Sequence, residues 1–206
     1  MGRVLPLSIC LALDTSTSRT SVAIIDQGAL LWHGYKDGAT SHGDALPTLV
    51  VQALAMAPNI ERVVVGMGPG PFTGLRVGIA FARTFALARN ISLVGVCSLD
   101  AIASSVREVN DFIVATDARR KEVYWAKYLS GERVDGPQVD FPKTVAKMGL
   151  PIFGEGAVKY GIGAADEGLF PDLESLVALS ENSNKRVTEP MYLRRPDAIP
   201  LIERKA

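Results

Sequence analysis

Two aspartates carry the chemistry this sequence could perform. Asp14 closes an apolar run and is followed by Thr15, Ser16, Thr17 and Ser18; Asp117 closes another and is followed by Ala118, Arg119, Arg120 and Lys121. Carboxylates at the tips of paired hairpins can hold a magnesium-bound phosphate in a cleft between two lobes, since a hard cation takes oxygen ligands. On that reading Asp14, Ser16, Thr17, Asp117 and Arg119 form a nucleotide-binding set. A D-T-S-T tetrapeptide supports a plainer reading equally well, in which Asp14 and Ser16 only satisfy the N–H groups of their own turn.

A second anion site could lie between Gly66 and Gly74, where a glycine loop follows the run Val63, Val64, Val65 and leads into a helix. Helix N-termini present N–H groups to phosphates. The spacing fits neither G-x-G-x-x-G nor G-x-x-x-x-G-K-[ST], no lysine follows, and Pro69 and Pro71 each remove a donor. Gly68, Pro69, Gly70 and Gly74 are therefore read as a structural turn that sets the helix angle, with Gly70 at the cap and Pro71 at the first helical position.

Other catalytic chemistry has little support. His33 and His42 are the only histidines, nine residues apart and without H-E-x-x-H spacing, so neither a metal nor a catalytic residue is assigned. His42, near a helix start, reads as a capping or interface residue. Cys10 and Cys97 sit in apolar runs and read as buried thiols, pointing to the cell interior. The 22 Lys and Arg balance 22 Asp and Glu, so no charge surplus marks a protein that grips nucleic acid by itself. The first apolar run is broken by Asp14 and lacks a small-residue cleavage site, which predicts a strand rather than a signal peptide.

The elements that must position these residues follow from periodicity. Strands are expected at 7–13, 20–25 and 30–35, then a helix at 45–57 with Pro47 in its first turn, a strand at 63–65, a helix at 72–88, a strand at 92–96 and a helix at 99–106. This βββαβαβα order is an α/β pattern with an antiparallel edge on an otherwise parallel sheet. The 72–88 helix is apolar nearly all round, with small residues at Gly74, Gly78, Ala82 and Ala86. Such a helix is covered on more than one side, and its ridge would admit a second helix, from this chain or another. Arg76 and Arg83 argue against its crossing a membrane.

A strand at 112–116 ending at Asp117, with a partner at 122–129, repeats the first hairpin's plan. Beyond Ser130 prolines and glycines obscure the pattern, apart from a helix at 173–180, an extended stretch at 189–195 and a mobile tail. Two lobes are expected, 1–108 and a smaller 109–206.

Taken together, LALDTSTSRTSVAI, His42 with Asp44, GPGPFTGLRVGIAFARTFALA, DARRKEVYWAKY and EPMYLRR resemble the bacterial TsaB (YeaZ) family over most of residues 8–130. The resemblance implies an actin-like ATPase (ribonuclease H-like) fold of two related lobes with mixed sheets, the second reduced. It implies a cytoplasmic, non-catalytic scaffold for threonylcarbamoyl modification of adenosine 37 in tRNA, pairing with the catalytic TsaD and the ATPase TsaE, and touching tRNA indirectly. No cofactor is expected to be held firmly, with ATP or ADP bound only within the complex. The family's partner surface, which also serves homodimers, maps to His42, Leu46, Leu49, Val50, Phe72, Leu75, Arg76, Gly78, Ile79 and Ala82. Pro71 stands where the family usually has serine, and His42, Gly43, Asp44 replace His-[ST]-Glu. The alternative within the same fold class is a phosphotransferase or an M22-type glycoprotease.

Overall fold

The computed structural model describes residues 9–107, 109–164 and 169–194; Leu7, Arg195 and the expected mobile tail lie outside the described residues. The first half runs β1 (Cys10–Asp14), β2 (Arg19–Asp26), β3 (Ala29–Asp37), α1 (His42–Met56), β4 (Arg62–Gly66), α2 (Phe72–Arg89), β5 (Ser92–Val96) and α3 (Ser98–Ala103). The second runs β6 (Phe112–Arg119), β7 (Glu122–Leu129), β8 (Glu132–Asp140), α4 (Pro142–Ala146), β9 (Ile152–Phe153), α5 (Glu155–Lys159) and α6 (Leu173–Glu181).

The first sheet has the order β3-β2-β1-β4-β5, with β1, β2 and β3 antiparallel and β1, β4 and β5 parallel. The second has the order β8-β7-β6-β9, again an antiparallel meander beside a parallel strand. It repeats the first sheet without a fifth strand, which is the two-lobed actin-like ATPase architecture with a reduced second lobe.

Covering helices explain the near-continuous apolar runs of β1 and β4. Leu11, Leu13, Val63 and Val65 pack under α1 and α2, while Cys10, Ala12 and Val64 pack under α3 and α6. Cys97, Leu99 and Ile102 lie against Phe112, Val114 and Tyr128 and so join the two sheets. Burial pushes both the Cys10 and Cys97 thiols up to about 12, so each is an inert core group. Among the described residues no helix is long and apolar enough to cross a membrane.

Several local expectations shift. The helix α1 starts at His42, so Pro47 lies in its interior instead of its first turn. Pro71 is the N-cap of α2, with extended ψ of 134°, and the first helical residue is Phe72. The nine-residue β8 was hidden by Gly136 and Pro137; a proline that cannot donate to a ladder is tolerated on an edge strand with register shifts. A boundary at residue 108 does not hold for α6, because Leu173, Leu176 and Val177 return to close the first sheet. Residues 189–194 form no strand.

Candidate functional site

The strand β1, buried along its whole length, delivers Asp14 to the turn that leads into β2. Asp14 Oδ1 accepts hydrogen bonds from Ser16 N and Ser16 Oγ, both at 2.7 Å, and Oδ2 accepts from Ser98 Oγ at 2.6 Å. Thr17 is also buried, and its Oγ1 accepts from Arg19 N at 3.2 Å. Burial pushes the Asp14 carboxyl up from the usual range, and the bonds from Ser98 and Ser16 oppose it only in part. Both of its oxygens are engaged within the chain.

The small-residue ridge is the seat of this turn. A Cβ on Gly66 would overlap Asp14 Oδ2, and one on Gly70 would strike the Ser16 carbonyl and lie 2.8 Å from Ser16 Cα. On Gly74 it would lie 2.7 Å from Thr15 O, and on Gly78 it would overlap Thr15 Oγ1. Thr15 Oγ1 in turn donates to Gly74 O at 2.8 Å. Glycine every fourth residue thus lets β4, its loop and α2 close on residues 14–16. Gly68 meets a different demand, with φ of +91°. The loop's glycines serve this close packing.

Asp117 occupies the matching place in the second lobe. Its Oδ1 accepts from Arg119 N at 3.0 Å and Tyr160 Oη at 2.9 Å, and its Oδ2 accepts from Lys159 Nζ at 2.5 Å. Burial alone would raise its pKa, but the bonds from Lys159 and Tyr160 prevail and hold it below the usual carboxylate range. Arg119, Arg120 and Lys121 follow with φ of 63°, 51° and 63°, three left-handed non-glycine residues in succession, which is a strained turn. Glu155, the first residue of α5, connects the two turns. It accepts from Ser18 N at 3.1 and 3.2 Å and from the Ser18 hydroxyl, and burial pushes its carboxyl up. Each aspartate is thus held by donors of its own surroundings.

An open cleft of about 550 Å³ lies beside them, between the α2 N-terminus and the β6–β7 turn. Of the sequence-derived nucleotide set only Arg119 lines it; His42, Phe72, Tyr124, Tyr192 and Arg194 also do. The C-terminal stretch reaches it by crossing the first sheet, where Val187 N donates to Gly95 O and Met191 N to Met67 O. Arg194 then donates to Ala118 O at 2.8 Å and pairs with Glu122 at 2.9 Å. Among the described residues no group of three or more His, Cys, Asp or Glu could hold a metal.

Residues 36–168 match the family described as TsaD, tRNA N6-adenosine threonylcarbamoyltransferase. The Escherichia coli tRNA threonylcarbamoyladenosine biosynthesis protein TsaB is 33% identical over 129 residues, which cover 59% of this chain and 55% of that protein. The chain belongs to the TsaB (YeaZ) family. Similarity over the full length is seen with an uncharacterized protein of Mycobacterium tuberculosis, 40% identical over 214 residues and 98% of each chain. A crystal structure from Pseudomonas aeruginosa, described as an uncharacterized protein with similarity to peptidase YeaZ, superposes with a TM-score of 0.74 at 28% identity, covering 91% of this chain and 100% of that one.

The TsaB resemblance assigned ten residues to a partner surface, and the structure corrects most of them. His42, Leu46, Leu49, Val50, Leu75, Gly78, Ile79 and Ala82 are buried in this chain's own first lobe. They belong to the inner faces of α1 and α2, which share one core over β1, β2 and β4. Phe72 is half-buried against Tyr192, and Arg76 is exposed. The outer faces of the same two helices carry Val51, Met56 and Leu87, exposed at 70%, 61% and 83%. Helix periodicity found the apolar positions, but not which side faced the sheet. Ser98, Glu155, Lys159 and Tyr160 had no sequence signal, because each acts on a turn far away in the chain; the EPMYLRR motif did carry Tyr192 and Arg194.

Proposed function

We propose that this chain is a non-catalytic subunit of the machinery that builds threonylcarbamoyladenosine in tRNA, the modification named in its TsaB relatives. It pairs with a TsaD-like catalytic subunit and works with a TsaE-like ATPase in the cytoplasm, contacting tRNA through the complex. The observation that carries the non-catalytic reading is the engagement of both turns: the carboxylates of Asp14 and Asp117 each accept three hydrogen bonds from donors of this chain. Adenine nucleotide then binds only in the assembled complex. Val51, Met56 and Leu87 on the outer faces of α1 and α2 supply the apolar patch a partner helix pair would cover, and a second copy of the chain can take that place when the partner is missing.

Reconstitution tests this directly. Mixed with TsaD and TsaE counterparts, tRNA, ATP and threonylcarbamoyl-adenylate, the chain should be required for modified tRNA, and Met56→Glu with Leu87→Glu should abolish its ability to support modification without lowering the melting temperature. Full activity in its absence would remove the scaffold role. Full activity of the double variant would move the partner surface elsewhere.

A further inference from the structure

We propose that the cleft between the α2 N-terminus and the β6–β7 turn binds a small organic anion, a phosphate or carboxylate carried on a planar aromatic body. Its volume of about 550 Å³ falls within the ~300–1,000 Å³ range of small-molecule sites.

The floor is built from His42, only 5% exposed although it is a polar residue. Its Nδ1 lies 2.8 Å from the hydroxyl of Thr20, itself fully buried and without another hydrogen bond among the described residues. That hydroxyl therefore donates to Nδ1, and the ring proton sits on Nε2. Nε2 lies beside Gly74 in the cleft lining, 3.2 Å from where a Cβ would stand, and has no partner among the described residues. That nitrogen is left free for a ligand in the cleft that His42 lines. The first turn of α2 adds main-chain N–H groups, because the helix has no side-chain N-cap.

The rim has the same sign. Arg119 and Arg194 both line the cleft, and among the described residues no Asp or Glu does. Arg194 is already held by Ala118 O and Glu122, whereas the Arg119 side chain is 46% exposed and only 3.8 Å from Asp117, so it can swing onto a ligand. Two guanidinium groups and the head of α2, with no carboxylate among the described lining residues, select an anion. The rings of Phe72 and Tyr192, 5.0 Å apart, together with Tyr124, make an aromatic wall for a flat group. Of the sequence-derived nucleotide set, Asp14, Ser16 and Thr17 take no part in this lining and Arg119 does, together with Gly70 and Gly74 at the head of α2.

The test uses the full chain, calorimetry and the ring signals of its two histidines, with phenyl phosphate, benzoate and inorganic phosphate as probes. Phenyl phosphate or benzoate should bind about ten-fold more tightly than inorganic phosphate and shift His42 while leaving His33 in place; the stronger of the two identifies the acid group. Arg119→Gln should weaken that probe about ten-fold at an unchanged melting temperature, the loss of one charge-assisted contact. A His42 signal that stays still at about 10 mM of both aromatic probes, a concentration that reads even millimolar affinity, would overturn the proposal. Equal binding by the Arg119→Gln protein would do the same.

Discussion

Asp14 and Asp117 each accept the N–H two residues further on, at 2.7 and 3.0 Å, and each stands where a hairpin turns. Their other partners are of different kinds. Asp14 meets two neutral hydroxyls in a space closed by glycines, so burial raises its pKa. Asp117 meets the ammonium of Lys159 and the phenol of Tyr160, and its pKa falls. One local motif thus serves opposite ends: a packed keystone in the first lobe and an ionised anchor for α5 in the second. The first turn is tuned by shape and the second by charge.

The largest expected effect falls on the first turn's seat. Gly70→Ala forces a Cβ into the Ser16 backbone and should cost about 3 kcal/mol in denaturant unfolding, at the upper end of overpacking. Gly43→Ala, with nothing within 4 Å and a place in α1, should be neutral or stabilising by up to about 1 kcal/mol. Equal stability of the two variants would mean that the turn is not tightly seated.

Next comes the ridge on α2. Gly78→Ala drives a Cβ into Thr15 Oγ1 and displaces its bond to Gly74 O, so a loss of about 1–2 kcal/mol is expected. A changed oligomer size at an unchanged melting temperature would instead put the ridge at an interface between chains.

Charge governs the second turn, so Lys159→Met should cost there about 1 kcal/mol at neutral pH, kept small because the lysine side chain is 49% exposed and screened. Truncation that leaves urea unfolding unchanged would make the Lys159 contact incidental.

The smallest effect separates the turns by sign. The depressed pKa of Asp117 gives a contribution that is full above the ordinary carboxylate value of 3.8 and is lost as pH falls through the folded pKa. The raised pKa of Asp14 works in reverse: its ionisation penalises the fold above 3.8, and the penalty is relieved as pH falls through its folded pKa. Melting curves across the acid range should therefore show Asp117→Asn losing most, relative to wild type, at neutral pH, whereas Asp14→Asn compares best there. Parallel curves for both variants would break the contrast.

Much of the first lobe was legible because its signals are local. Apolar runs and turn residues placed the order βββαβαβα, and the Asx-type bonds of Asp14 and Asp117 span only two residues. The edge strand β8 was not legible, since its Pro137 and charged residues look like loop when the neighbouring β7 is out of view. For the candidate site, the tail motif pointed to Tyr192 and Arg194, but nothing in the pattern around His42 told that its ring is buried against Thr20.

By itself the sequence determined the family, the order of elements in the first lobe and the two aspartate turns, because periodicity and turn chemistry act over a few residues. Only the tertiary structure decided the ionisation of those aspartates, the side on which the glycine ridge packs and the return of α6 to the first sheet. The first two rest on partners far apart in the chain, Asp14 with Ser98, Asp117 with Lys159 and Gly74 with Thr15, separated by 84, 42 and 59 residues. Burial and charge at a residue are properties of what folding brings beside it.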